Sequence, residues 1–182
     1  MAGSASAVPM PTALSVAPAT RAWLAVAALG AGLLHAALAS GAPLPVAAAL
    51  VATAAAELGW AVAAFLRDRP PFFRSALYLA LAPVAAWAAL ATVGATASGG
   101  TVLTLQPLPM AAASLLDIAV AGTIAVVVRR GRAAPGESGA LRFVTVLTLS
   151  AALVSALTIP ALGVTQAGGA AVEVHLQHSG HH

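Results

Sequence analysis

The sequence predicts an all-α polytopic membrane protein, a bundle of five transmembrane helices, on three observations. Hydrophobic residues make up 60% of its 182 positions and charged residues only 7%, with a mean hydropathy of +0.96, whereas soluble domains carry about a quarter charged residues. Several apolar runs reach the roughly 20 residues that a helix needs to cross hydrocarbon. The arginines fall between those runs and not within them.

Each element follows from local composition. Residues 1–21, opening MAGSASAVPMPTALSVAPAT, are rich in Ala, Ser, Pro and Thr without apolar periodicity, and are expected to form a disordered cytoplasmic arm. The transmembrane domain occupies 22–164. Its first span covers about 22–40, and after a Gly- and Pro-containing break at 41–45 the second ends at Leu66. The third covers about 75–97, with Pro83 placed to kink it, the fourth 110–128 and the fifth about 143–164. Residues 165–182 form a His-rich tail, expected to be external and flexible.

Orientation follows from the loops. Arg67, Arg69 and Arg74 lie between spans two and three, and Arg129, Arg130, Arg132 and Arg142 between spans four and five, while the segment 98–109 has no charge. Short arginine-rich loops stay on the cytoplasmic side. The expectation is a multi-pass protein of the cell (inner) membrane, with the N-terminus inside and the C-terminus outside. A rival reading has Arg21, the apolar stretch after it and the triplet Ala37-Leu38-Ala39 as a secretory signal peptide, which would leave four spans once cleaved.

Composition narrows the chemistry. Cysteine is absent, which excludes disulfides, thiolate metal sites and a cysteine nucleophile. Eight Arg raise the pI to about 11.2, but they sit at membrane borders and form no nucleic-acid stripe. No P-loop, GxSxG, HExxH or nucleotide fingerprint is present, and the loops are short, so no enzyme and no catalytic residue is expected. Lys and Asn are missing too, consistent with GC-rich coding, so small-xxx-small pairs such as Ala28 with Gly32 carry little weight in so Ala-rich a chain.

Three ionisable groups fall inside the spans: His35, Glu57 and Asp117. Each costs roughly 2.5–3.5 kcal/mol to insert, so each is a functional candidate. At about 1.5 Å rise per residue, His35 lies about 6 Å and Asp117 about 3 Å outside the midplane, with Glu57 about 4 Å inside it. One reading is a polar line that relays a proton or a cation. The other is a His35–Asp117 packing pair, with Glu57 bonded separately to a backbone carbonyl or to Thr53 one turn away. Trp60 and Trp87 are expected to pack between helices, and Trp23 and Tyr78 to anchor at the interface.

The chain ends VEVHLQHSGHH. His175, His178, His181 and His182, with Glu173 as an oxygen donor, form a candidate set for Cu, Zn, Ni or Co, since imidazole suits these ions. A polar end that merely stays out of the bilayer is the plainer alternative.

GLLHAALA in the first span, ELGWA in the second, ATVG and a mid-span LLDI resemble small polytopic membrane proteins of GC-rich bacteria that have no assigned activity. Five spans with an outward His-rich end are also similar to predicted cobalt-transporter subunits, without a shared signature stretch. The first functional expectation is handling of a transition-metal cation by the tail and the intramembrane His/Asp/Glu set. The second is a non-catalytic structural or accessory subunit packed on other membrane subunits. Lipid bilayer is the expected partner in both, and nucleic acid in neither.

Overall fold

The computed structural model describes residues 16–67, 72–96, 106–130 and 139–179. Among them are six helices and no strand: α1 (Pro18–Ala39), α2 (Leu44–Leu66), α3 (Phe73–Thr96), α4 (Pro107–Arg130), α5 (Ala140–Gly163) and α6 (Gln166–Ser179). The first five are long and apolar enough to cross a membrane. Large apolar side chains such as Leu44, Leu66, Leu141 and Ile159 stay on the outside of the bundle, as expected where the solvent is lipid.

α1 is the hub. It is the most buried of the five spans, and α2, α4 and α5 all pack on it, whereas α3 leans on α4 and only lightly on α2. Small residues make this possible. A Cβ on Gly30 would meet Val154 Cγ1 at 2.5 Å and Leu116 Cδ1 at 3.0 Å, and one on Gly32 would meet Leu58 Cγ at 2.9 Å. Ala25, Ala27, Ala28 and Ala31 are buried around them. Close helix approach is how bundles gain packing energy in lipid. The signal-peptide alternative would remove the helix on which α2, α4 and α5 pack.

α1 starts earlier than the sequence suggests, at Pro18, because a proline in the first turn costs no hydrogen bond. Residues 18–21 of the expected arm are therefore helical, and residues 1–15 lie outside the described residues. α3 passes through Pro83 as one helix.

The tail is where the backbone differs most from expectation. Thr165 Oγ1 donates to the Leu162 carbonyl at 2.7 Å and accepts the Gly168 N–H at 3.1 Å, closing α5 and capping α6 in one side chain. The stretch 166–179 is thus a helix and not a flexible tail, with its start held near Gly41 in the α1–α2 turn.

Every described arginine sits at one end of the bundle: Arg21 opens α1, Arg67 follows α2, Arg74 opens α3, Arg129 and Arg130 close α4, and Arg142 opens α5. Arg21 Nη1 donates to the Arg67 carbonyl at 3.0 Å, tying α1 to α2 there.

Candidate metal centre

His35, Glu57 and Asp117 come from three different helices, α1, α2 and α4, and converge in the bundle interior. Their relative exposures are 1%, 3% and 2%. One nitrogen or oxygen donor atom from each lies within 4.8 Å of the others. His35 Nδ1 is 2.8 Å from Glu57 Oε2, and His35 Nε2 is 4.0 Å from Asp117 Oδ2.

The convergence corrects the depth assigned from sequence, which set Glu57 one to two turns below the other two. Helical side chains lean toward their own N-terminus, and α1 runs opposite to α2 and α4. His35 therefore leans toward the arginine end while Glu57 and Asp117 lean away from it. The lean closes the gap that counting residues along the axes leaves open. Gly32, one turn before His35, supports the approach by letting α1 touch Ala54 and Leu58 of α2.

The pairing also differs from expectation. The direct bond joins His35 to Glu57, not His35 to Asp117. In the tautomer that carries its proton on Nδ1, His35 donates to Glu57 Oε2, and the lone pair of Nε2 is left on the Asp117 side. A histidine whose Nδ1–H is held by a carboxylate is the arrangement that presents Nε2 as a metal ligand. No hydroxyl or amide donor reaches Glu57 Oε1 or Asp117 Oδ2, so Thr53 does not serve Oε1, and the two carboxyl groups lie within hydrogen-bonding reach of each other. Buried hydroxyls elsewhere behave otherwise: Ser150 and Thr158 satisfy themselves on carbonyls four residues back, at 2.6 and 2.9 Å.

The surroundings are apolar. Toward the arginine end, a small void is lined by Glu57, Asp117, Ala28, Trp60, Ala76, Leu79, Ala80 and Val120. Toward the other end, Leu38, Leu50 and Met110 form a separate apolar cluster with Trp87 packed against it. Trp60 and Trp87 thus pack between helices as expected. Tyr78 is 72% exposed near the arginine end of α3. Trp23 ties α1 to α4, because its Nε1–H donates to Thr123 Oγ1 at 3.2 Å. An indole facing a hydroxyl a hundred residues away leaves no trace in either local sequence.

Of the proposed tail ligands, Glu173 is exposed on α6 and positions 175 and 178 belong to the same helix, while His181 and His182 lie outside the described residues. The structure does not bring the tail to the intramembrane group among the described residues.

Chemically, the centre offers one imidazole and two carboxylates. This donor set suits borderline divalent cations such as Zn, Co and Ni, which accept both nitrogen and oxygen. A dication would also balance two carboxylate charges that low-dielectric surroundings otherwise leave costly. Comparison with known proteins finds no matching family model, no matching curated protein and no matching solved structure.

Proposed function

We propose that this membrane-spanning helical protein handles a divalent transition-metal cation, held inside the bundle by His35, Glu57 and Asp117. The observation that carries the reading is the meeting of three metal-competent side chains from three helices within 4.8 Å, all buried, with no hydroxyl or amide donor on Glu57 Oε1 or Asp117 Oδ2. Two carboxylates and a neutral imidazole around a dication give a charge-balanced core. In this account the outer His-rich end, with Glu173, His175, His178, His181 and His182, gathers the same ions from outside.

The electronic spectrum of Co(II)-loaded protein tests this reading. Tightly held Co(II) with mixed nitrogen and oxygen ligands should give visible ligand-field bands that differ from those of aqueous Co(II), and Asp117→Asn should abolish or shift them. Bands unchanged in Asp117→Asn would remove the centre from the account. The His35–Glu57 pair would then serve as a packing lock between α1 and α2, and a structural or accessory role would become the better reading.

A further inference from the structure

A groove on the lipid-facing seam between α2 and α3 backs onto the void beside the metal centre, sharing Trp60, Ala76 and Leu79 with it, but contains none of the three candidate ligands. On the α2 side it is lined by Ala56, Gly59, Trp60 and Ala63 with Arg67 just past the helix, and on the α3 side by Phe72 just before the helix and Ser75, Ala76 and Leu79 within it. α2 and α3 pack only lightly on each other, and the groove between them is open, with a volume of about 460 Å³.

Polarity is distributed along it in one direction. The inner stretch is Ala, Gly, Leu and the Trp60 ring, whereas Arg67 and Ser75 stand at the arginine end, where Phe72 adds an exposed ring. Phe72 has φ 51°, a left-handed conformation uncommon for a bulky residue, and this backbone turn sets the start of α3 at the groove mouth. The Arg67 backbone is fixed by the bond from Arg21. Arg74 is the residue before Ser75 but is not part of the groove lining.

Length identifies the occupant. From Ala56 to Arg67 the groove covers about 16 Å at the helical rise, about half of a hydrocarbon core of about 30 Å. That is the depth of one leaflet. A partner helix crossing the whole bilayer would need a groove about twice as long, and water would have almost nothing to bond along its walls. We propose that the α2–α3 groove seats one anionic phospholipid, with an acyl chain against Gly59, Trp60, Ala63 and Leu79 and the headgroup at Arg67 and Ser75. The Arg67 charge at the groove mouth selects an anionic headgroup over a zwitterionic one.

Protein purified in mild detergent and analysed by native mass spectrometry after addition of phosphatidylglycerol or phosphatidylcholine tests the proposal. Wild type should retain one phosphatidylglycerol in preference to phosphatidylcholine. Arg67→Gln should lower that retention about fivefold, the order expected for one arginine near the headgroup, and Arg74→Gln should leave it nearly unchanged. Gly59→Leu provides a second variant that tests the acyl part. A Cβ at Gly59 meets nothing within 4 Å, so the chain should fold while the leucine fills the groove and displaces the lipid. Equal loss in Arg67→Gln and Arg74→Gln, retention unaffected by Gly59→Leu, no headgroup preference in wild type, or a bound protein subunit in place of lipid would each overturn the proposal.

Discussion

His35 Nδ1 and Glu57 Oε2 meet at 2.8 Å in the interior of the bundle, and neither residue has more than 3% of its surface exposed. Removing one member of such a pair strands the other, which costs about 3–5 kcal/mol, whereas replacing both by apolar groups of similar size restores much of the loss. His35→Ala should therefore lower stability by about 3 kcal/mol, and the double change His35→Leu with Glu57→Leu should be milder than either single leucine variant. Reversible unfolding in mixed detergent and dodecyl sulfate micelles reads this. A double variant as damaged as the sum of the two would mean that the residues act independently.

Helix packing around α1 gives a second prediction. A side chain at Gly30 would meet Val154 and Leu116, whereas one at Gly122 of α4 would meet nothing within 4 Å. Gly30→Leu should destabilise by at least about 1–3 kcal/mol, the usual cost of overpacking, while Gly122→Leu should leave stability near wild type. The same micelle assay ranks them, and a tolerant position 30 would contradict the central place of α1.

The topology predicts alternating locations. Reporter fusions after residues 70, 103, 136 and 182 should read inside, outside, inside and outside, since the described arginines cluster at one end of the helices and arginine-rich short loops are retained in the cytoplasm. An inward reading at 182 would reverse the scheme.

The five spans were legible because hydropathy is a local property and the rise of about 1.5 Å per residue converts the length of an apolar run into a membrane-crossing distance. The centre was legible in its members but not in its pairing. His35, Glu57 and Asp117 stand out as ionisable residues in apolar runs, yet their depths were estimated from Cα positions, while opposing helices tilt these side chains toward each other. α6 was missed because Gly168, Gly169 and the histidines suggest a loose end. Thr165 three residues before Gly168 held the signal, a cap whose hydroxyl closes one helix and opens the next. The Trp23–Thr123 bond has no sequence signature, since it depends on how α4 docks on α1.

The tail should be separable from the membrane domain. Deleting 175–182 removes only the last part of α6, so helix content and stability should stay close to wild type, as is usual for a terminus beyond the packed core. Any Ni(II) or Cu(II) taken up by this end should weaken as pH falls through about 6.5, where free imidazole protonates. Uptake that persists unchanged in the deletion variant across that range would take the tail out of the account.

Metal content of the tail-deleted protein tests the central claim most directly. Residues 1–174, purified in detergent, loaded with Zn(II), dialysed and analysed by inductively coupled plasma mass spectrometry, should retain one ion per chain, and Glu57→Gln and Asp117→Asn in that background should each lose it without loss of fold. No retained zinc in the parent, or the same retained zinc in both variants, would contradict the assignment of His35, Glu57 and Asp117 as a metal centre.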